Sequence, residues 1–295
     1  MARIAITARN FADLSPDAVA LLQNAGHEVT LFPDGMAMTP RQYRDAIADA
    51  DAVIVSLERF DRALLEQLPN LRLISRRGVG VDSIDMDACR EMGIAVARTL
   101  GQVESSVAEY AIACVLYFAR RLHEQNAPMH AHQWTRILTQ GAKTRTIGLV
   151  GFGGIGTQIA RRADALGMRV LCCARHRHPE EEALYHAQYT GFDALLESSD
   201  YVVAAVPLTG QTRGMFDARA FARMKPGAVF INVARAPVAV EEDLRAALLS
   251  GHLGGAALDV HPTEPCTDSP FCGMPNVLLT PHTAPYTQEN FSCMN

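Results

Sequence analysis

The chain has 295 residues, of which 48% are hydrophobic, and a formal net charge of −5 at pH 7. This length exceeds that of most single domains and predicts two, with enough apolar residues to form a core in each. A mildly acidic chain has no general attraction for nucleic acid or anionic lipid, so neither is an expected partner, and an anionic substrate would need a local cluster of Arg or Lys.

Other features of the composition concern location. No apolar stretch reaches the roughly 20 residues that a membrane span needs, and residues 1–10 lack the pattern of a secretory signal. The seven cysteines are scattered without a repeated spacing, which is typical of reduced cytosolic thiols. The sequence therefore predicts a soluble, cytoplasmic protein without a membrane partner.

Strand-like and helix-like segments alternate along the chain. Strands are predicted over residues 3–7, 28–32, 52–56, 71–75 and 94–97, with helices over 18–23, 40–50 and 61–68. One long helix is predicted from residue 106 to about residue 124. A second series follows, with strands over residues 146–150, 168–172, 201–206, 228–233, 255–260 and 277–280 and helices that include 157–166 and 242–249. This alternation predicts two doubly wound α/β units, each with a parallel sheet covered on both faces.

A glycine-rich loop, GFGGIG at residues 151–156, lies between a predicted strand and a predicted helix. Gly151 would permit the tight turn, Gly153 would let the backbone approach a pyrophosphate, and Gly156 would allow the helix to pack closely. The helix N-terminus would offer N–H groups and a positive partial charge to the phosphates. A plain strand-to-helix turn is the alternative, but the order of strand, loop and helix favours dinucleotide binding.

The acid that usually binds the adenosine ribose of an unphosphorylated dinucleotide is missing. Its expected position at the end of the next strand is Ala174, and the cationic run RHRH follows at residues 175–178. Guanidinium groups suit a 2′-phosphate because their fork of donors matches its oxygens. Arg175 and Arg177 therefore predict a preference for NADP(H), with NAD(H) possible; a solvated basic loop is the alternative.

Three ionisable residues follow apolar strands of the second series: Arg235, Glu264 and His282. Open α/β sheets bind ligands at the carboxyl ends of their strands. Reduction of a ketone beside a carboxylate needs a cation that holds the carboxylate and polarises the carbonyl, and an acid that protonates the developing alkoxide. Arg235 and His282 supply these groups, and Glu264 could favour the protonated imidazole. Taken singly, each has a structural alternative: a surface ion pair, a loop carboxylate, and a capping or core histidine.

These segments resemble the D-isomer-specific 2-hydroxyacid dehydrogenase family, which includes phosphoglycerate dehydrogenases and glyoxylate/hydroxypyruvate reductases. The resemblance also rests on SRRGVGVDSID at residues 75–85, SVAE at 106–109, and VPLT at 206–209 with Thr212, and it covers nearly the whole chain. It implies a Rossmann cofactor domain over residues 99–283, inserted in a flavodoxin-like substrate-binding domain of residues 1–98 and 284–295. It also implies a homodimer built largely around the long helix.

By resemblance, Arg235, Glu264 and His282 form the catalytic set. The backbone of Val79 and Gly80 would bind the substrate carboxylate together with Arg235. Arg77 is a further candidate because Arg76 and Arg77 adjoin this segment. The glycine-rich loop, the basic run and the resemblance together predict a cofactor site formed by Gly151, Gly153, Gly154, Ile155, Gly156, Arg175, Arg177, Pro207, Thr212, Val233 and Asp259.

No metal is expected, because the spacing of His261, Cys266 and Cys272 matches no common zinc pattern. The chain departs from the family at Ala236-Pro237, where Gly commonly follows the catalytic Arg, and at Leu100, where Pro is common. Family members usually continue past the catalytic His with a helix on the first domain, which we expect to be shortened or cut here.

The expected activity is hydride transfer between NADP(H) and a small 2-oxo or 2-hydroxy acid, with the nicotinamide facing the cleft between the domains. A glyoxylate/hydroxypyruvate reductase type is favoured, and a phosphoglycerate dehydrogenase type is an alternative. Two further alternatives are an NAD(P)-sensing protein of the corepressor type and a scaffold without turnover. The sequence has no evident partner tail, which disfavours the sensor.

Overall fold

The computed structural model describes residues 1–32 and 35–294. It divides into two compact units, Met1–Val103 with Tyr286–Asn295, and Glu104–Pro285, here called unit 1 and unit 2. Both are built on parallel sheets with helices between the strands. The predicted fold class of two doubly wound α/β domains is therefore confirmed.

Unit 1 contains a five-stranded parallel sheet in the order β2-β1-β3-β4-β5. Its strands are β1 (Arg3–Ile6), β2 (Glu28–Leu31), β3 (Ala52–Val55), β4 (Leu73–Arg76) and β5 (Ala95–Arg98). Its first five helices are α1 (Phe11–Leu14), α2 (Pro16–Asn24), α3 (Pro40–Ile47), α4 (Arg62–Leu65) and α5 (Met86–Met92). Side chains alternate across β1, so that Ile4 and Ile6 enter one core while Ala5 enters the other.

Local capping fixes where several of these helices begin. Thr39 and Gln42 form a reciprocal capping box at the start of α3, in which the Gln42 N–H donates to the Thr39 hydroxyl at 3.3 Å. Asp85 caps α5, because its carboxylate accepts the Ala88 N–H at 2.8 Å. Gly93, with φ of +71°, ends the same helix.

Unit 2 contains a seven-stranded parallel sheet in the order β12-β11-β10-β9-β6-β7-β8. Its strands are β6 (Thr146–Val150), β7 (Arg169–Cys173), β8 (Ala187–Tyr189), β9 (Tyr201–Ala204), β10 (Val229–Asn232), β11 (Gly255–Leu258) and β12 (Val277–Leu279). Its helices are α6 (Glu104–Ala119), α7 (Leu122–His130), α8 (Gly154–Ala165), α9 (Pro179–Leu184), α10 (Phe192–Ser198), α11 (Ala218–Arg223) and α12 (Glu241–Leu249). The winding reverses between β6 and β9, which places a topological switch point there.

The prediction of one helix from residue 106 to about residue 124 is wrong. The structure ends α6 at Ala119 and begins α7 at Leu122, with Arg121 between them at φ of +47°. A left-handed residue interrupts the helical hydrogen-bond ladder. The Gln125 side chain donates to the carbonyl of Arg120 at 2.7 Å, which satisfies one carbonyl freed by the break.

The chain ends in a seven-residue helix, α13 (Gln288–Met294), within unit 1. Its Phe291 ring packs edge-on against Tyr286 at 4.5 Å between ring centroids. The Arg77 guanidinium lies 4.4 Å above the same Phe291 ring. Residues 288–294 therefore form a short helix that is held by aromatic and cation–π contacts within unit 1.

No helix within residues 1–32 and 35–294 combines the length and the apolar character needed to cross a membrane.

Candidate active site

The glycine-rich loop joins β6 to α8 at the switch point of unit 2. A Cβ atom on Gly151 would lie 2.4 Å from the carbonyl oxygen of Ala205, just after β9. A Cβ on Gly156 would lie 2.2 Å from the carbonyl oxygen of Gly151. These two positions admit only glycine because backbone approaches both of them closely.

Gly153 and Gly154 line the start of α8, and their surroundings differ. A Cβ on Gly153 would meet nothing within 4 Å, whereas a Cβ on Gly154 would lie 2.8 Å from Cγ of Glu104 on α6. Gly153 precedes the first turn of a 12-residue helix whose first N–H groups have no intrahelical partner. Ile155 is half-buried in that turn. The loop therefore fits the pyrophosphate of a dinucleotide, with open space beside Gly153 and donors behind it.

The two arginines after β7 have different surroundings. Arg175 is exposed, its Nε lies 3.2 Å from Nε2 of His176, and it forms no ion pair within the described part of the chain. Arg177 pairs with the carboxylate of Glu182, and its guanidinium lies 4.7 Å above the Tyr189 ring. Arg175 thus lies at the end of β7 without an ion-pair partner among the described residues, whereas Arg177 stabilises its own loop through Glu182 and Tyr189.

Other residues predicted for the cofactor site follow neighbouring strands. The Thr212 hydroxyl donates to the Pro207 carbonyl at 2.6 Å and accepts the Thr209 N–H at 2.8 Å, which closes the turn after β9. Val233 is buried directly after β10. Their contacts with a cofactor stay a prediction.

Arg235 follows β10 in a turn shaped by Asn232. The buried Asn232 amide accepts the Ala234 N–H and donates to the Arg235 carbonyl, both at 3.0 Å. A 3₁₀ turn, Ala236–Val238, begins directly afterwards with Pro237 near its start. Ala236 and Pro237, which depart from the family pattern, thus lie in a regular 3₁₀ turn. Arg235 is half-buried at the end of its strand.

Glu264 and His282 are in direct contact. Nδ1 of His282 lies 2.7 Å from Oε2 of Glu264, and Oε1 of Glu264 accepts the His261 N–H at 3.0 Å. Their side chains are 18% and 20% exposed for His282 and Glu264, respectively. Burial raises the pKa of Glu264, but the hydrogen bond and the charge of His282 outweigh it and leave this pKa below its usual value. Glu264 is therefore ionised and accepts the Nδ1 proton, which leaves Nε2 of His282 for chemistry.

His282 lies in a loop whose neighbouring residues form hydrogen bonds with Asp259. Its own backbone is left-handed, with φ of +54°. The buried Asp259 carboxylate accepts the Thr280 hydroxyl and the Thr283 N–H at 2.7 Å each, and the Ala284 N–H at 2.8 Å. The hydrogen bonds of the Asp259 carboxylate within the described residues thus go to the His282 loop, and the role implied for Asp259 at the cofactor stays a prediction.

The three predicted catalytic residues share one edge of the sheet. They follow β10, β11 and β12, which are adjacent and parallel, with Asn232 paired to Leu258 and Leu258 paired to Leu279. The glycine-rich loop follows β6 at the same edge, because all of these strands are parallel.

The residues predicted to bind the substrate carboxylate lie after β4 in unit 1. The N–H groups of Val79 and Gly80 donate no hydrogen bond within the described residues, although the carbonyl of Gly80 accepts Nε of Arg76 at 3.1 Å. The Arg77 guanidinium is buried and donates to the Arg9 carbonyl at 2.8 Å and to the Ser56 hydroxyl at 3.0 Å. The backbone at Val79 and Gly80 is thus suited to an anion, whereas the contacts of Arg77 face inward.

Sequence reasoning missed Asn232, Tyr110 and Thr280. Asn232 stands in the same motif as Arg235, so a polar residue at the end of an apolar strand was a usable signal. The hydroxyl oxygens of Tyr110 and Thr280 lie 2.5 Å apart in the structure. These residues are 170 positions apart in the sequence, and no local pattern connects them. Among the described residues, no group of three or more His, Cys, Asp or Glu side chains is placed to hold a metal ion.

A Rossmann-type sheet, a glycine-rich loop at its switch point and a His–Glu pair at the same edge define a class of protein, the dinucleotide-dependent oxidoreductases. The family model described as "D-isomer specific 2-hydroxyacid dehydrogenase, NAD binding domain" matches residues 112–284. The chain belongs to the D-isomer-specific 2-hydroxyacid dehydrogenase family, and it is an enzyme that uses a nicotinamide cofactor.

The relatives extend over most of the chain. Glyoxylate/hydroxypyruvate reductase B of Salmonella heidelberg (strain SL476) is 37% identical over 281 residues, which cover 93% of this chain and 87% of that protein. The crystal structure of a glyoxylate reductase from Paecilomyes thermophila is similar, with a TM-score of 0.85, 29% identity and coverage of 99% and 92% of the two chains. A D-lactate dehydrogenase from Aquifex aeolicus, complexed with NAD and lactic acid, gives a TM-score of 0.87, 26% identity and coverage of 99% and 91%.

Proposed function

We propose that the protein reduces a small 2-oxo acid of the glyoxylate or hydroxypyruvate type to the 2-hydroxy acid, with NADPH as the preferred cofactor. The observation that carries this proposal is the 2.7 Å contact between His282 and Glu264, at the sheet edge that also bears Arg235 and the glycine-rich loop. The substrate class follows the printed names of similar proteins.

His282 acts as the general acid. Its Nδ1–H donates to Glu264, which stays ionised because its pKa is lowered. Nε2–H donates to the keto oxygen of the substrate, and this proton passes to the oxygen as negative charge develops there. The neutral imidazole that remains keeps its Nδ1 proton and is reprotonated at Nε2 from solvent. The hydrogen bond to Glu264 thus fixes the orientation of the ring.

Arg235 binds the substrate carboxylate and polarises the adjacent carbonyl through its fork of donors. Asn232 fixes the turn from which Arg235 projects. A nicotinamide cofactor, when bound, would supply the hydride. Gly151, Gly153 and Gly156 would hold its pyrophosphate by close backbone approach and by the donors at the start of α8.

The preference for NADPH rests on the end of β7. Ala174 offers no carboxylate that would accept the ribose hydroxyls or repel a 2′-phosphate. Arg175 is exposed and forms no ion pair within the described residues, so its guanidinium is available to a phosphate group.

We also propose a homodimer formed through α7 and the segment that follows it. Four apolar side chains there are exposed, Leu122 by 51%, Met129 by 49%, Trp134 by 81% and Leu138 by 97%. Exposed apolar patches are typical of protein–protein interfaces, and the molar mass in solution measured by sedimentation equilibrium tests this proposal. A cytoplasmic location is proposed because all seven cysteines are free thiols.

Initial rates with glyoxylate, hydroxypyruvate, pyruvate, branched 2-oxo acids and phosphohydroxypyruvate, each with NADPH and NADH, test the activity. We expect turnover of glyoxylate or hydroxypyruvate, with a higher kcat/KM for NADPH. Absence of turnover across the panel would overturn the proposed activity, and equal or better rates with NADH would overturn the cofactor preference.

A substitution tests the assigned acid. His282→Ala should lower kcat by about 10²- to 10⁴-fold, the usual contribution of a positioned general acid, while NADPH still binds. His186→Ala, at a surface histidine whose side chain is 80% exposed, is the matched control and should retain full activity. A wild-type kcat in His282→Ala would rule out the role of His282.

A further inference from the structure

Tyr110 lies in the middle of α6, outside every motif of the proposed active site. Its hydroxyl oxygen is 2.5 Å from the hydroxyl oxygen of Thr280, at the start of the His282 loop. The Thr280 hydroxyl in turn lies 2.7 Å from Oδ1 of Asp259. Three side chains from α6, the end of β11 and the end of β12 thus form one continuous chain of hydrogen bonds.

The direction of these hydrogen bonds can be worked out. Asp259 also receives the Thr283 and Ala284 N–H groups, which can only donate, so its oxygens act as acceptors. The Thr280 hydroxyl therefore donates its single proton to Asp259, and the Tyr110 hydroxyl must donate to Thr280. Burial, with smaller contributions from Cys114 and Asp259, raises the pKa of Tyr110, so the phenol keeps the proton that it donates.

The backbone of Thr280 holds the His282 loop through two hydrogen bonds. Its carbonyl oxygen accepts Nε2–H of His261 at 2.9 Å and the His282 N–H at 3.0 Å. The next residue but one, His282, has the left-handed φ of +54°, a conformation that a non-glycine residue keeps only where surrounding contacts hold it. Contacts to Thr280 thus help determine the backbone that aims the imidazole at Glu264.

We infer that Tyr110 is a positioning residue for the proposed reaction: by donating to Thr280, it holds the loop in which His282 meets Glu264. The inference rests on the proposed function, in which His282 is the acid. The Tyr110 hydroxyl does not itself act on the substrate, because its proton is engaged by Thr280. Loss of this hydroxyl misaligns the imidazole without removing any group that binds the cofactor.

Tyr110→Phe removes the hydroxyl and keeps the ring. We expect kcat with the best 2-oxo acid to fall about tenfold, while KM for that acid and Kd for NADPH stay within about twofold, because misplacement of a reacting group acts on turnover. Thr280→Val should lower kcat at least as much, and Thr280→Ser, which keeps the hydroxyl, should restore most of it. Tyr117→Phe is the control on the same helix, since the Tyr117 ring stacks on His123 and its hydroxyl forms no hydrogen bond with Thr280 or Asp259 within the described residues.

The double variant Tyr110→Phe/Thr280→Val tests whether Tyr110 affects turnover through Thr280 or independently of it. If Tyr110 acts through Thr280, the double variant should be no slower than Thr280→Val alone. Multiplying losses, or a wild-type kcat in Tyr110→Phe, would overturn the inference.

A proton NMR measurement works even without turnover, so failure of the inference and failure of the proposed function can be told apart. The Nδ1 proton that His282 shares with Glu264 should give a downfield signal that is absent in His282→Ala. We expect this signal to broaden or shift in Tyr110→Phe and to stay unchanged in Tyr117→Phe. An unchanged signal in Tyr110→Phe would contradict the positioning role, whereas an inactive wild type would contradict only the proposed function.

Discussion

Each unit has a point where its parallel sheet reverses its winding, between β1 and β3 in unit 1 and between β6 and β9 in unit 2. Open α/β sheets commonly bind ligands at such points. In unit 2 a Cβ on Gly153 would meet nothing within 4 Å. In unit 1 a Cβ on Gly35 would lie 2.5 Å from Oε1 of Glu58. One switch point is open to a ligand, and the other is filled by the protein itself.

The groups that fill the switch point of unit 1 form hydrogen bonds with one another. The buried Glu58 accepts the Thr7 hydroxyl at 2.8 Å and the Ser56 N–H at 2.5 Å. Arg77 donates to the hydroxyl of the same Ser56. Burial raises the pKa of Glu58, although these hydrogen bonds and the charge of Arg76 oppose the shift. Topology therefore offers a ligand site in both units, and the local side chains decide which unit uses it.

The largest effect is expected from Arg77→Ala. It removes the donors to Ser56 and Arg9 and the contact with Phe291, so the free energy of unfolding should fall by about 2–4 kcal/mol. Urea unfolding followed by circular dichroism measures this loss. Arg41→Ala, at a side chain that is 86% exposed, is the control and should stay within about 0.5 kcal/mol of the wild type. A higher KM for the 2-oxo acid with unchanged stability would instead identify Arg77 as a substrate ligand.

Substituting alanine for one glycine at each switch point tests whether the switch point of unit 1 is filled and that of unit 2 is open. Gly35→Ala should cost about 1–3 kcal/mol of stability, because the new methyl group overpacks against Glu58 and against Cβ of Thr7, 2.8 Å away. NADPH affinity per folded molecule should be unchanged. Gly153→Ala should show the opposite pattern, with unchanged stability and a Kd for NADPH at least about tenfold higher, since its methyl group would occupy the space left for the pyrophosphate. Thermal unfolding measures the stability of both variants, and fluorescence titration measures their Kd for NADPH. Similar changes in stability and in Kd for the two variants would contradict the proposed difference between the switch points.

How much of this could be predicted from the sequence depends on whether the signal is local. The loop at residues 151–156 is a contiguous pattern, and Glu264 and His282 each follow an apolar strand, so their common edge follows from parallel topology. Burial is not local: two arginines after a strand look alike whether they face inward, as Arg77 does, or outward, as Arg175 does.

Two features of unit 2 were beyond the sequence for related reasons. The break between α6 and α7 depends on the left-handed backbone of Arg121, a residue with no strong preference for that conformation. The hydrogen bond from Tyr110 to Thr280 joins distant parts of the chain. Hydrophobic periodicity reports elements and strand ends, but not which side chains meet across the fold.

The smallest expected effects distinguish the two arginines after β7. Arg175→Ala should weaken NADPH binding by about 1 kcal/mol, roughly fivefold, and leave NADH unchanged, because an exposed guanidinium that meets a phosphate contributes only that much. Arg177→Ala should have a smaller effect that is similar for both cofactors, since Arg177 already pairs with Glu182 and lies over Tyr189. Fluorescence titrations with both cofactors at low and high salt separate these outcomes, and the selectivity due to Arg175 should shrink as salt screens it. Equal losses of NADPH and NADH affinity in Arg175→Ala would mean that the basic run shapes the loop and does not read the 2′-phosphate.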